Sequence, residues 1–407
     1  MKPYLLMTVL YLTLAIFALL DSAFANVGIV SWFNGLRWLR VHFITLGVVT
    51  QLIFALAPAL VALRTERPQP QMRWSRWIIL NLGVIILLIG IPLVNAAVIA
   101  TGGTLVFIAA VMLVRQLIQM RGGRATGTVA AGSPSARRFY LAGLSYLLLG
   151  IFLGTGLWLG WGQALGLANP KEVHVHSNLW GFASLLFAGL IVDLLPGVTG
   201  RRIGGSKSIG AIFWLMTLGA LGMVVGPWVQ QEWVTSVGLV LHTIGTLLLL
   251  VILIRPFVGD RQAWTPGLWH LVTAYVWFLI PAAVAPLIVA NATQFPVAQV
   301  TSNGAPILIY GWIAQIGYAL IPYLFARAFQ PGGRAALGGS WFSLGAMHGG
   351  ALLYWVGLFL PDAQRWLQAG AFGLWALALL PLVWELWRRV PTGVPAAGEL
   401  ANPLPAK

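Results

Sequence analysis

The 407-residue chain is 59% hydrophobic and only 8% charged, which excludes a water-soluble globule, where roughly 25% of residues are charged. It contains no cysteine, so disulfides, thiolate metal sites, iron–sulfur clusters, cysteine nucleophiles and covalent c-type haem attachment are excluded. The net charge of +15 is spread over loops between apolar runs, which points to membrane topology and away from nucleic-acid binding.

A helix needs about 20 apolar residues to cross a bilayer. In chain order, twelve stretches meet that requirement: 3–22, 41–63, 76–95, 97–119, 138–162, 174–197, 208–227, 232–254, 266–290, 304–326, 338–360 and 366–387. The first reads as a retained span and not a removed signal, because no A-x-A-like cleavage site stands before a soluble domain. The third and fourth are almost continuous, with Pro92 and Asn95 marking a turn between them. The segment 120–137 contains RGGRATGTVAAGSPSAR and reads as a mobile cytoplasmic loop. The Pro/Ala-rich segment 390–407 reads as a disordered cytoplasmic tail. The fold class expected is therefore all-α: a single polytopic transmembrane domain over residues 1–389.

Basic residues test the span count. Loops on the side of the termini carry 20 of the 24 Lys and Arg residues, and the opposite loops carry only Arg37, Arg40, Lys171 and Arg365. A miscounted span would scramble this split. It implies a multi-pass protein of the cell (inner) membrane with both termini cytoplasmic.

Three spans resemble one another. They are HFITLGVVTQLIFALAP from His42, HVHSNLWGFASLLFAGLIVDLLP from His174 and PILIYGWIAQIGYALIP from Pro306. With Gly47, Gly181 and Gly311 in register, the columns Thr50/Ser184/Ala314, Gln51/Leu185/Gln315 and Ala55/Gly189/Ala319 follow. Small residues are common in membrane helices and align by chance. Near-equal spacing of four spans each time favours a threefold repeat of four helices, at approximately 1–119, 138–254 and 266–389.

The six histidines are the candidates for cofactor or metal binding. Without cysteine, any metal or haem is held by His, Met, Tyr or carboxylate. His42, His174 and His176 lie at span entrances, where an imidazole either ligates or faces headgroups. His174 and His176 are two apart and diverge by about 200° on a helix. His176 aligns with His42 in the repeat and is expected to be the inward one. His174 is expected to be a second ligand or a supporting partner. His242 and His348 lie at mid-membrane depth, where an ionisable group faces an interior or a cavity. Each either binds a ligand or bonds a neighbouring helix. His270, beside Trp269, is the weakest candidate. Asp193 and Glu385 lie near the cytoplasmic end, and pairing with loop arginines such as Arg201 is the expectation for them.

Twelve spans, cytoplasmic termini, a three-by-four repeat and histidines near the outer face resemble the catalytic subunit of the haem–copper oxidase superfamily. WLRVHFIT around His42, and VHVHSNLWGF followed by SKSIGAIFWLMTLGALG, look like the second-helix haem-ligand region of nitric oxide reductases. The HVHSNLWGF…LLPGVTGR run is also similar to NnrS-type membrane proteins of nitric oxide metabolism. The resemblance implies b-type haem with His42 as a ligand, and His176 as a ligand on helix six or as that same second-helix ligand. His174 and His176 are the metal candidates by the residues themselves. It places Arg365 where the family's arginines meet haem propionates. His242, His270 and His348 match no motif of the family, although His242 and His348 remain cofactor candidates by depth. The resemblance also implies histidines on helices seven and ten, and this sequence has none there, so the usual copper site is incomplete.

The expected function is a haem-binding membrane redox protein, handling nitric oxide or electrons and partnered by an electron donor or other respiratory subunits. An oxidoreductase activity is left open. One alternative is a non-catalytic accessory or scaffold subunit that has lost its cofactors. A small-molecule or metal transporter is the other, and it would be expected to show broken helices at mid-membrane.

Overall fold

Long runs of Leu, Ile, Val and Ala in hydrocarbon have no water to satisfy their peptide groups, so the backbone must bond within each segment as a helix. A computed structural model of the chain describes residues 1–29, 37–65, 67–120, 136–201, 203–290, 292–330 and 335–390. Every regular element among these residues is helical. Most of the predicted loop 120–137 and nearly all of the predicted tail 390–407 lie outside the described residues.

The long helices are α1 (Lys2–Asn26), α2 (Trp38–Arg64), α3 (Trp74–Gly90), α4 (Ala96–Gln119), α5 (Arg137–Leu159) and α6 (Pro170–Thr199). They continue as α7 (Ser206–Val229), α8 (Glu232–Phe257), α9 (Pro266–Val289), α10 (Ile307–Phe329), α11 (Trp341–Gly357) and α12 (Gln364–Arg389). Ten are long and apolar enough to cross a membrane, while α3 and α11 are shorter, at 17 residues each. At the turn between α3 and α4, the Asn95 side chain accepts the Val98 amide and caps α4.

The outward faces are apolar. Val237, Val240, Ile244, Leu247 and Val251 form an exposed stripe on α8 at helical spacing. A patch of that size is unfavourable in water and neutral in lipid. The chain is accordingly a multi-pass membrane protein.

α2, α6 and α10 form the centre. Of their most apolar 18 residues, 83%, 83% and 89% are buried, against 56% or less in the other seven spans. Each contains a π-helical stretch, at Phe43–Val49, Ser177–Ala183 and Ile307–Ala314. Within these stretches sit Gly47, Gly181 and Gly311. A Cβ on each would lie 2.6 Å from the Tyr11 ring, 2.4 Å from the Tyr146 ring and 2.8 Å from the Trp277 ring, respectively. Tyr11, Tyr146 and Trp277 belong to α1, α5 and α9. The glycines therefore let the outer helices close onto the inner ones. Around the perimeter α3 packs on α4, α7 on α8 and α11 on α12. Contacts of α4 with α5, α8 with α9 and α12 with α1 join these pairs to their outer neighbours.

Two ion pairs tie the arginine-bearing ends together. Asp193 pairs with Arg64 at 3.1 Å, and its second carboxylate oxygen accepts the Tyr140 hydroxyl at 3.0 Å. The expectation that Arg201 is its partner is not met. Arg64 ends the neighbouring inner helix and reaches Asp193, whereas Arg201 turns to Asp260 in the segment after α8. The Arg201 guanidinium and two backbone amides hold the Asp260 carboxyl below the usual carboxylate range. A depressed folded-state value makes this pair stabilising above the unfolded carboxylate value of about 4, and the contribution disappears as pH falls through the folded value. Asp260→Asn should therefore reduce the loss of stability between pH 5 and about pH 3. Denaturation in one detergent at both pH values checks this, and an unchanged pH slope would count against the pair. Glu385 pairs with Arg389 one turn along α12, as expected of an acid near loop arginines.

Candidate cofactor cavity

A cavity of about 490 Å³ opens between α2, α5 and α6, with α3, α4 and α10 completing its wall. That volume is within the range of small-molecule and cofactor sites, roughly 300–1,000 Å³. Leu87, Ile99, Val106, Leu147, Phe182 and Ile309 make most of it apolar. Its polar groups are few: His42, His174, Asn178, Thr45, Thr50, Thr155 and Lys171.

The two cavity histidines share one arrangement. His42 Nδ1 lies 2.8 Å from the Trp38 carbonyl, and its ring stacks on the Trp38 indole at 3.9 Å. His174 Nδ1 lies 2.8 Å from the Gly150 carbonyl. A carbonyl can only accept, so in each neutral imidazole the proton sits on Nδ1 and Nε2 carries the lone pair. Neither Nε2 has a hydrogen-bond partner among the described residues. A ring fixed through Nδ1 to a carbonyl, with Nε2 open to a cavity, is the usual preparation of a histidine ligand.

The wall is shaped for His174. A Cβ on Gly154 would meet the His174 ring at 2.5 Å, and one on Gly150 would meet the Asn178 amide at 2.3 Å. Glycine at both positions of α5 gives His174 and Asn178 their room. The Asn178 amide donates to the His174 carbonyl at 2.8 Å, anchoring the turn that carries the imidazole.

His176 does not line this cavity. It was the histidine expected to face inward, but its Nδ1 donates to the Met223 carbonyl of α7 at 2.7 Å and its ring meets Trp180 edge-on. The repeat alignment with His42 is thus not a shared environment: two residues along α6 turn the side chain to the next sector. His242 contacts Ser184 and the Trp180 carbonyl through Nε2, and Thr246 through Nδ1. His348 accepts from the Trp277 indole at 2.8 Å and bonds Thr273 at 2.7 Å. His270 bonds Gln315 and Ser343. Both nitrogens of these three rings are engaged, so they read as interhelical links. Arg365 is exposed at the start of α12, over the Trp366 ring, and does not line the cavity. No group of three His, Asp or Glu side chains gathers at metal-binding distance among the described residues.

Beyond His242, the sectors on the other sides of α6 and α10 are filled by ring contacts of Trp180, Phe278 and Trp312, and of Tyr310 and Trp375. Sequence reasoning missed Gly150, Gly154 and Lys171. The Lys171–His174 spacing of three, which puts both on one helix face, was the available signal for the lysine.

The donor set fits a haem. Imidazole is a common axial ligand, the lining is apolar, and two prepared Nε2 atoms face one cavity. No protein-family model matches this sequence, and no curated protein matches it significantly. The fold and the site define a multi-pass α-helical membrane protein with a histidine-bearing cavity between its inner helices and one side of its outer ring.

Proposed function

We propose that the protein is a haem-binding membrane redox protein of the haem–copper oxidase type of architecture, with twelve crossings in a pseudo-threefold repeat. The three π-helical stretches, the three glycine–aromatic contacts and the three outer helix pairs support the repeat. Under the positive-inside rule both termini are cytoplasmic and the cavity lies toward the outer face of the cell membrane. The single observation that carries the haem assignment is the pair His42 and His174, each with Nδ1 held by a carbonyl and Nε2 open to the same apolar cavity.

On this reading His42 and His174 hold b-type haem. When bound, the haem would supply one-electron or diatomic-ligand chemistry, such as that of nitric oxide. The Trp38 stack and the Gly150 carbonyl fix the two rings, and the apolar wall excludes water. An electron donor or other respiratory subunit supplies electrons. The copper site implied by the resemblance stays incomplete, because α7 and α10 carry no histidine.

The test is an absorption spectrum of the detergent-solubilised protein, oxidised and then dithionite-reduced, with metal analysis on the same sample. A Soret band with sharp reduced α-bands supports the assignment, and its shift with carbon monoxide or nitric oxide reports an open position. Protein expressed with ample haem supply that shows neither chromophore nor metal sinks it. The aromatic filling of the other two sectors favours a second reading, an accessory or scaffold subunit that keeps the architecture without a binuclear centre. That reading gains if no chromophore is found.

Gly154 offers a test that leaves both ligands in place. Gly154→Val should push His174 out of position and weaken haem retention, at an overpacking cost of about 1–3 kcal/mol. Gly373→Val is the control, since open space surrounds that position. Equal spectra and haem contents for the two variants would contradict the fitted role of Gly154.

A further inference from the structure

We infer that Lys171 is the carboxylate anchor of the cavity, so that its ligand is an apolar body bearing an acid group that points to the α6 entrance. The inference rests on the haem reading for the identity of the ligand.

Among the described residues, Lys171 is the only Lys or Arg lining the cavity. It lies in the first turn of α6, three residues before His174, so both side chains occupy one helix face. It forms no ion pair among the described residues. Helix electrostatics do not explain it, because a cation in the first turn opposes the macrodipole. Nor does topology, since it is one of only four basic residues on the sparsely charged side. Arg365, the cation that the resemblance suggested for propionates, is outside the cavity.

The only charged side chain and both imidazoles among the described lining residues come from α2 and α6, and the rest of the wall is apolar apart from Asn178 and the hydroxyls of Thr45, Thr50 and Thr155. Lys171, His174 and Asn178 lie in the first three turns of α6 and His42 in the second turn of α2, whereas Leu87, Ile99 and Val106 of α3 and α4 line an apolar part of the wall. A haem offers the matching profile: an apolar macrocycle with propionates on one edge. The ammonium group would pair with a propionate at the exposed rim, and the macrocycle would meet the apolar wall. A cation there also stabilises the ferrous over the ferric state, because the oxidised haem carries one more positive charge.

The test uses full-length protein reconstituted with ferric protoporphyrin IX or with its dimethyl ester, which lacks the acid groups. Wild type, Lys171→Gln and Lys171→Arg are compared by rate of haem loss to apomyoglobin and by midpoint potential. Lys171→Gln should release the free-acid haem about threefold faster, as expected of a partly exposed ion pair, and lower its potential. Lys171→Arg should behave as wild type. With the dimethyl ester, wild type and Lys171→Gln should release haem equally fast. If all three proteins hold haem and Lys171→Gln matches wild type with the free acid, the anchor is wrong and the haem site stands. An equal Lys171→Gln effect with acid and ester also overturns the anchor. Wild type that takes up neither porphyrin overturns both the site and the anchor.

Discussion

His174→Ala should abolish or strongly shift the Soret band and the reduced α-bands, and His42→Ala should do the same. His176→Ala and His270→Ala should leave them in place. The four variants separate ligation from folding, because all four positions are buried or half-buried. His174 and His42 present free Nε2 atoms to the cavity. His176 is tied to the Met223 carbonyl outside it, and His270 has both nitrogens bonded. Even supporting partners of a ligand shift affinity by about 10–100-fold, so loss of the ligand itself should exceed that. Free imidazole added to His174→Ala should restore part of the spectrum, because the truncation leaves a hole of the right shape. A band that survives in His174→Ala and His42→Ala but vanishes in His176→Ala would move the site to the α6–α7 side and overturn the cavity assignment.

The second large effect is on stability. Asp193→Leu should destabilise the protein by roughly 3–5 kcal/mol, since removing one member of a buried pair leaves its partner uncompensated. The Asp193 side chain is fully enclosed and that of Arg64 is 16% exposed, so solvent screens this pair little. Three helices meet there: Arg64 ends α2, Tyr140 lies on α5 and Asp193 lies on α6. The double replacement Arg64→Leu with Asp193→Leu should recover much of the loss, because neither charge is then buried alone. Denaturation of wild type, Asp193→Leu, Arg64→Leu and the double variant in the same mixed micelle measures the cycle. A cost below about 1 kcal/mol for Asp193→Leu alone would show that the pair behaves as a surface pair.

The cavity lies between the same helices that this pair holds at the other end. α2 and α6 carry His42 and His174 near one end, and Arg64 and Asp193 near the other. The ion pair therefore acts as a fixed point for the two helices that present His42 and His174 to the cavity. Asp193→Leu protein that still folds should retain haem more weakly, whereas Asp260→Asn should not affect retention.

The sequence by itself determined that the chain is helical, multi-pass and membrane-embedded. Apolar runs of membrane length in hydrocarbon have no other way to satisfy their peptide groups. It also marked α2, α6 and α10 as alike, with Gly47, Gly181 and Gly311 in register; the structure then made them the buried centre, each glycine admitting an outer aromatic ring. It identified His42 and His174 among the ligand candidates, because imidazoles at span entrances are few and chemically distinct. Only the tertiary structure decided which histidines face the cavity. Side-chain direction changes by about 100° per residue, and the rotation of a helix about its axis is set by its neighbours. That rotation turned His176 toward α7 and His174 toward α5, reversing the expectation drawn from alignment with His42. Tertiary packing likewise gave Asp193 to Arg64 in place of Arg201, and left Arg365 outside and Lys171 inside the cavity. Ion pairs between distant helices depend on which ends meet, and that is a property of the assembled bundle with no local signature in the chain.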